Sequence, residues 1–227
     1  MSEPLLLAKG LTKSYVMGGR SLEVLCGVDL EVDRGDFLAL RGASGAGKST
    51  LLHLIGGLDS PNSGEILFEG RDIAKFSEAD LTHFRNRRVG FIFQAYHLLP
   101  ELTALENVCL PARIGRVSAG DAESRAAELL QQVGLKARIE HKPYELSGGE
   151  QQRVAIARSL IVRPEMILAD EPTGNLDSRT GMEIIELLKN LCVQTNAALM
   201  IATHDAKVAG AAKRVIELAD GRIAALQ

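Results

Sequence analysis

The stretch Phe37-Leu-Ala-Leu-Arg-Gly42-Ala-Ser-Gly-Ala-Gly-Lys48-Ser49-Thr50 decides the fold of this chain. It begins as a short apolar run, passes through a loop of small residues, and continues over residues 49–55 as a predicted helix that ends at Gly56-Gly57. Small side chains allow successive backbone N–H groups in such a loop to face an anion. The order of strand, glycine loop and helix therefore predicts a phosphate-binding loop.

Each part of this loop has a chemical role, because the loop matches the pattern G-x-x-x-x-G-K-[ST]. The following helix directs its positive N-terminal end at the bound anion. Lys48 supplies a positive charge for the β and γ phosphates during catalysis, and the Ser49 hydroxyl is a ligand for Mg²⁺. We expect the nucleotide to contact Gly42, Ala43, Ser44, Gly45, Ala46, Gly47, Lys48, Ser49 and Thr50.

Outside the loop, apolar strands alternate with helices, which predicts an α/β fold with a P-loop NTPase core and a mainly parallel sheet. On the two sides of Gly18-Gly19, in residues 5–15 and 22–32, apolar residues alternate loosely with polar ones. This pattern predicts an N-terminal antiparallel β subdomain. Residues 104–148 lack strand signals, so we expect an inserted α-helical subdomain at about 95–148 within a single domain spanning 1–227. Further strands are expected at 65–68, 89–93, 166–170, 198–203, 215–218 and 222–225, and helices at 150–161 and 178–192.

Composition excludes several classes of protein. The 227 residues are 46% hydrophobic and 24% charged, which is typical of a folded globular chain. The net charge of −3 provides no overall field for nucleic acid, so we expect no nucleic-acid partner. Cys26, Cys109 and Cys192 have neither disulfide-framework nor zinc-site spacing. No apolar stretch is long enough to span a bilayer.

A second chemical signal is the apolar run Met166-Ile-Leu-Ala-Asp170-Glu171, which ends in two carboxylates. Side chains alternate along a strand, so we expect Asp170 and Glu171 to point differently and to take separate roles. Asp170 is expected to hold Mg²⁺, and Glu171 is expected to orient and deprotonate an attacking water. Together with the loop, this run indicates a nucleoside triphosphatase.

The third signal is Leu146-Ser147-Gly148-Gly149-Glu150-Gln-Gln, where two glycines precede a helix and leave its first N–H groups free. This pattern predicts a second anion site, with Ser147 also able to cap the helix. The segment has no lysine of its own, which suggests that it completes a site built mainly by another copy of the chain.

With these three signals the chain resembles the nucleotide-binding subunits of ABC transporters, from about Leu5 to Ala225. The resemblance implies an ATPase that binds ATP and Mg²⁺, with Ser147, Gly148, Gly149 and Glu150 as its signature motif. Glu150 stands where glutamine is commoner. The resemblance also implies further nucleotide-site residues, namely Tyr15 against adenine, Gln94 at Mg²⁺ and the attacking water, Asp177 in the D-loop, and His204 as a catalytic switch at the γ-phosphate.

The same resemblance implies how such a chain works. Two copies dock head to tail and hold ATP between the Lys48 loop of one copy and the Ser147 loop of the other. Closure then moves integral membrane permease subunits, so we expect a homodimer peripherally bound at the cytoplasmic face of a bacterial inner membrane. Residues 95–107 follow Gln94 and are apolar enough to be either core or a groove for a partner helix.

Within the family, residues 93–108, 142–158 and 170–177 are most similar to a bacterial group that includes lipoprotein-releasing ATPases and lever-type exporters. We expect lipoprotein release, because the chain ends at Gln227 without a membrane segment. A fragment of an exporter with a fused membrane domain, or a regulatory ATPase that controls cell-wall hydrolysis, would share every motif. A chromosome ATPase would need long coiled-coil arms between Gln94 and Ser147, and no sustained heptads occur there.

Overall fold

The computed structural model describes residues 3–226, apart from the side chains of Met17, Ala225 and Leu226. Two compact units divide the chain: the described residues up to Arg85 together with those from Ala198 onward, and Asn86–Ala197. The elements in chain order are β1 (Leu6–Met17), β2 (Arg20–Val32), β3 (Phe37–Arg41), α1 (Lys48–Ile55), β4 (Ser63–Phe68), β5 (Arg71–Asp72), α2 (Glu78–Arg87), β6 (Val89–Phe93), α3 (Ala104–Ile114), α4 (Ala119–Gln132), α5 (Gly148–Leu160), β7 (Met166–Asp170), α6 (Ser178–Thr195), β8 (Ala198–Thr203), α7 (Ala206–Gly210), β9 (Arg214–Ala219) and β10 (Arg222–Leu226), with short 3₁₀ turns at Ile73–Lys75, Lys136–Arg138 and Pro143–Glu145.

The first unit contains an antiparallel sheet in the order β2-β1-β4-β5. Strands β1 and β2 form a long hairpin around Gly18-Gly19, in which Tyr15 pairs with Leu22. The inward positions of this sheet are apolar, and Leu6, Leu11 and Val28 are fully buried. The predicted antiparallel subdomain is therefore present, with strands slightly longer than the alternation indicated.

Parallel strands carry the phosphate loop in the same unit. Strand β3 lies between β8 and β9 and runs parallel to both, while β10 adds antiparallel to β9. Residues Phe37 to Leu40 and all of β8 are buried, as expected for strands covered on both faces. Helix α1 follows β3 and buries Leu51, Leu52 and Leu54, each worth roughly 1.5–3 kcal/mol in transfer from water. The loop between β3 and α1 thus joins two well-anchored elements.

The second unit combines the parallel pair β6 and β7 with helices α3, α4, α5 and α6. Helix α5 packs against β6 and also contacts α3, α4 and α6. Its side chains from Val154 to Ala157 are buried, as required of a central helix. The α/β fold class and its helical insertion are therefore confirmed, while the limits 95–148 for the inserted subdomain stay a prediction.

Two helix boundaries differ by two or more residues from those expected. Helix α5 begins at Gly148 rather than Glu150, because Ser147 is its N-cap and the glycines form its first turn. Helix α6 continues to Thr195 rather than ending near Cys192, and Asn196 ends it in the left-handed conformation with φ 53°. In the described part of the chain, no helix combines the length and apolar character needed to cross a membrane.

Candidate nucleotide-binding site

Two glycines of the phosphate loop are required by close packing. A Cβ on Gly42 would lie 2.3 Å from the carbonyl oxygen of Leu218. A Cβ on Gly47 would lie 2.8 Å from both the carbonyl oxygen of Val24 and a methyl of Leu25, and Gly47 also has φ 101°. A side chain at either position would displace backbone, so the glycines at the two ends of the loop preserve its shape.

The positive end of α1 is not neutralised within the helix. Its N-cap, Gly47, provides no side-chain acceptor, and the first turn contains no acidic residue. The first N–H groups of a helix have no intrahelical partners, and the helix dipole adds a partial positive charge there. The start of α1 is therefore suited to bind an anion such as phosphate.

Lys48 is held inside this loop. Its side chain is buried, with 7% of the residue exposed. The ammonium group Nζ donates hydrogen bonds to the carbonyl oxygens of Gly42, at 2.8 Å, and Ala43, at 3.0 Å. These contacts place the charge of Lys48 at the loop that the sequence predicts to surround the phosphates.

Tyr15 lies on β1, in the same unit as the phosphate loop. Its hydroxyl donates a hydrogen bond to Oδ2 of Asp59 at 2.8 Å. Partial burial and the hydrogen bond to Asp59 raise its pKa, while an interaction with the Thr50 side chain acts in the opposite direction. Thr50 belongs to α1, so the hydroxyl of Tyr15 reaches the helix that follows the phosphate loop.

Asp170 has the features of a cation ligand. It ends β7, and its Oδ1 atom is buried with no hydrogen-bond partner among the described residues. A buried carboxylate oxygen without a partner is costly unless a cation or water satisfies it. Mg²⁺ prefers one or two carboxylates and retains several waters, so Asp170 fits such an ion. The described residues contain no group of three or more His, Cys, Asp or Glu side chains that could hold a metal by themselves.

Glu171 lies just beyond the strand rather than within it. Its φ of 46° places it in the left-handed region, and its carbonyl oxygen accepts a hydrogen bond from the N–H of Gly174 at 3.0 Å. The strand alternation used to separate Asp170 from Glu171 therefore does not apply, and a backbone turn separates them instead. A non-glycine residue in this region costs about 1–3 kcal/mol, which is typical of functional sites.

Gln94 is exposed just after β6 and is linked to the loop that precedes α6. Its Nε2 donates to Oδ1 of Asn175 at 3.3 Å, and Nδ2 of Asn175 donates to the carbonyl oxygen of Gln94 at 2.8 Å. A Cβ on Gly174 would lie 2.6 Å from Nε2 of Gln94, so a side chain there would require the Gln94 amide to shift. Asn175 is the first residue of the segment 175–177 that the family resemblance implies to be the D-loop, and its contact with Gln94 was not predicted.

Asp177 caps α6 in the structure. Its Oδ1 accepts hydrogen bonds from the N–H groups of Arg179, at 3.1 Å, and Thr180, at 3.0 Å. The pKa of Asp177 is lowered mainly by the hydrogen bond from the Thr180 side chain, and the backbone hydrogen bonds add to the effect. An ionised, exposed carboxylate thus stands at the start of this helix.

The segment that starts α5 forms a capping box. The Oγ of Ser147 accepts from the N–H of Glu150 at 3.3 Å, and the Glu150 carboxylate accepts from both the N–H and the hydroxyl of Ser147 at 2.8 Å. These backbone and side-chain hydrogen bonds, assisted by Arg138, lower the pKa of Glu150. A phosphate that approaches this helix would therefore compete with Glu150 for the Ser147 hydroxyl.

His204 is exposed immediately after β8. It lies between the buried Thr203 and Asp205, which caps α7.

The candidate site residues are divided between the two units. His204, Tyr15 and the phosphate loop belong to the first unit. Gln94, the Ser147 segment, the two carboxylates at β7 and Asp177 belong to the second.

Arg158 is a further residue of interest that the sequence did not single out. It lies on α5 and donates to the carbonyl oxygens of His97, at 2.5 Å, and Tyr96, at 2.6 Å. Both acceptor residues are left-handed, with φ 50° and 58°. Burial lowers the pKa of Arg158 without an ion pair among the described residues. The guanidinium therefore holds the strained segment that follows Gln94 against α5.

We expect Arg158→Lys to destabilise the protein by about 1–3 kcal/mol, because an ammonium cannot reproduce two diverging charged hydrogen bonds. Urea denaturation would measure the loss. Arg113→Lys is the matched control, since Arg113 is exposed at the end of α3 and should change stability by less than about 0.5 kcal/mol. Equal stability of the two variants would contradict this role of Arg158.

Comparison with known proteins identifies the family of this chain. The family model described as ABC transporter matches residues 25–174. The chain is 54% identical over 213 residues to the lipoprotein-releasing system ATP-binding protein LolD of Syntrophotalea carbinolica, covering 94% of each chain. It is 51% identical to the LolD protein of Geobacter metallireducens, covering 97% of this chain and 98% of that protein.

Solved structures of ATP-binding cassettes have the same fold as this chain. The dimeric post-hydrolysis structure of the ATP-binding cassette MJ0796, bound to ADP and phosphate, matches with a TM-score of 0.90 and 42% identity. This match covers 98% of the present chain and 97% of that one. A second dimeric structure of MJ0796, described as a bacterial ABC transporter cassette, matches equally well.

Proposed function

Because this chain belongs to the ABC transporter family and is an ATP-hydrolysing subunit of it, we propose that it drives the release of lipoproteins from a bacterial inner membrane. The observation that carries the proposal is near full-length identity of 49–54% to four proteins named LolD. These names favour lipoprotein release over an exporter with a fused membrane domain and over a regulator of cell-wall hydrolysis.

The residues of the phosphate loop bind the nucleotide in this proposal. Lys48 and the N–H groups at the start of α1 neutralise the phosphates, and Tyr15 packs against the base. Ser49, Gln94 and Asp170 are the residues that would hold Mg²⁺. The bound ion would supply positive charge against the charge that develops on the phosphate oxygens.

Hydrolysis is assigned to residues at the ends of two strands. Glu171 orients a water and accepts its proton, and His204 contacts the γ-phosphate. The left-handed backbone at Glu171 supports this role, since such strain is retained where position matters. Gln94 lies against Asn175, which gives the segment after β6 a direct contact with the loop that leads to Asp177.

A second copy completes the site. In the Ser147–Glu150 segment the capping box uses the N–H groups of Ser147 and Glu150, and no lysine is present. The N–H groups of Gly148 and Gly149 therefore bind the phosphates held by another copy's Lys48 loop. The dimeric state named for both MJ0796 structures supports this pairing. Activity should then rise more steeply than in proportion to protein concentration at dilution.

The segment after Gln94 is proposed to receive the membrane partner. Asn107 is fully buried and donates to the carbonyl oxygens of Leu99, Leu102 and Thr103, at 3.0–3.1 Å. These bonds fix the segment while Leu99 stays 46% exposed. A fixed apolar surface is suited to a partner helix. We place the chain at the cytoplasmic face of the membrane, bound through its permease.

Subunit complementation tests the composite site. Lys48→Met and Ser147→Arg should each abolish ATPase activity, the second because a bulky cation blocks the helix start. Mixed in equal amounts, they should recover about a quarter of wild-type activity, because random pairing makes half the dimers mixed and each mixed dimer has one intact site. No recovery at any mixing ratio would contradict the shared site.

Depletion in the native cell tests the biological function. Mature lipoproteins should accumulate in the inner membrane, and the purified protein should bring along a permease with four spans and a large periplasmic domain. As a control, the depleted cell is supplied with the chain carrying Glu186→Gln, a change at an exposed position on α6. This variant should restore normal lipoprotein sorting. Normal lipoprotein sorting after depletion would contradict the proposal.

A further inference from the structure

Tyr15 is part of a closed cluster with Lys13 and Asp59. Its hydroxyl donates to Oδ2 of Asp59 at 2.8 Å, and Nζ of Lys13 donates to Oδ1 of the same carboxylate at 2.7 Å. Lys13 also donates to the carbonyl oxygen of Ser60 at 2.7 Å, and the Ser60 N–H donates back to Asp59 at 2.7 Å. Each polar group in the cluster therefore has a short, directed partner.

The cluster is shielded more than an ordinary surface ion pair. The side chain of Lys13 is only 11% exposed and that of Asp59 32%. Burial alone would raise the pKa of Asp59, but hydrogen bonds from Lys13 and Tyr15 lower it. The carboxylate thus stays ionised and keeps both contacts.

The faces of the Tyr15 ring are not equivalent. Nζ of Lys13 lies over the ring, 5.0 Å from its centroid, which is within the range of a cation–π contact. Leu22 is the cross-strand partner of Tyr15, and directly opposite residues share a face of the sheet. Leu22 is 53% exposed, so an accessible apolar surface adjoins the ring. The hydroxyl also interacts with Thr50, in the first turn of α1.

We infer that Asp59 and Lys13 are positioning residues, which hold the Tyr15 ring as a platform for the nucleotide base beside the phosphate loop. Lys13 covers one face of the ring, so the base takes the other, and Asp59 sets the ring position through the hydroxyl. The inference rests on the proposed binding of phosphate at Lys48. It adds a base-specific role for two residues outside the family motifs described above.

Comparison of ATP with inorganic tripolyphosphate tests the inference, because tripolyphosphate has the phosphates but no base. We expect Asp59→Asn to weaken ATP binding about five- to tenfold, the scale of one ordinary hydrogen bond. The affinity for tripolyphosphate should stay within about twofold of wild type. Calorimetric titration with Mg²⁺ present would measure both ligands.

Two further variants make the result specific. Tyr15→Phe keeps the ring and removes only the hydroxyl, so it should reproduce the loss for ATP and should add little to Asp59→Asn in the double variant. Glu65→Gln is the matched control, since Glu65 forms an exposed pair with Lys9 at 3.4 Å in the same sheet. It should change neither affinity.

Each alternative outcome identifies what has failed. An equal loss of affinity for both ligands would mean that Asp59 acts on the phosphate loop, and would overturn the base-specific role. Unchanged ATP affinity in both Asp59→Asn and Tyr15→Phe would overturn it as well. Wild-type protein that binds neither ligand would instead overturn the proposed phosphate site, and the inference with it.

Discussion

Glu171→Gln is expected to lower kcat for ATP hydrolysis by about 10²- to 10⁴-fold, the usual contribution of a positioned general base. Glutamine nearly preserves the size and hydrogen-bonding reach of the side chain but cannot accept a proton from water. ATP binding should therefore be retained, and closed dimers should accumulate. Steady-state turnover and size-exclusion chromatography with ATP would measure the two effects.

The control for Glu171→Gln is Glu186→Gln, which makes the same chemical change at an exposed position on α6. Glu186 pairs with Lys189 at 3.6 Å, and such surface pairs contribute at most about 1 kcal/mol. This variant should hydrolyse ATP normally. Full turnover by Glu171→Gln would require another base, and a variant that fails to bind ATP would show that Glu171 acts on binding instead.

Lys48→Met is expected to weaken ATP binding by about 100-fold, because the ammonium is lost from a buried position at the phosphates. Methionine is unbranched and of similar length, so the loop should keep most of its packing. The carbonyl oxygens of Gly42 and Ala43 would lose their donor, at present 2.8 and 3.0 Å away. Equilibrium binding of ATP, measured alongside denaturant stability, separates these effects.

The matched control for this change is Lys136→Met, which removes a lysine from an exposed turn. It should leave both ATP affinity and stability within experimental error of wild type. If Lys48→Met bound ATP as tightly as wild type, the phosphates would have to be neutralised elsewhere in the chain. If Lys48→Met lowered the stability of the protein but left its ATP affinity unchanged, the role of Lys48 would be to stabilise the loop and not to bind ATP.

Local patterns in the sequence predicted local structure well. The loop before α1, the strands β3, β6, β7 and β8, and the capping residue Ser147 follow from side chains within a few positions of one another. Such features depend on backbone hydrogen bonds and glycine conformations that neighbouring residues control directly. The start of α5 was misplaced by two residues, because the glycines that open it have low helix propensity.

The contacts that position the candidate site depend on residues distant in sequence. Tyr15 and Asp59 are 44 residues apart, and Arg158 reaches the carbonyl of Tyr96 from 62 residues away. No short-range pattern encodes such pairs, since they form only when strands and helices pack. The roles of Gln94, Asp177 and His204 stay predictions from the family resemblance.

The sequence by itself predicted the chemistry of this protein: a glycine loop suited to bind phosphate, two consecutive acids of which the first ends a strand, and a helix start suited to a second anion. Each is a contiguous segment in which backbone geometry and side-chain type suffice. Only the tertiary structure decided that a carbonyl of Leu218 requires Gly42 to lack a Cβ, that Asp59 and Lys13 hold Tyr15, and that a backbone turn separates Glu171 from Asp170. The first two arise where distant segments pack, and the turn at Glu171 is a strained conformation that local propensity disfavours.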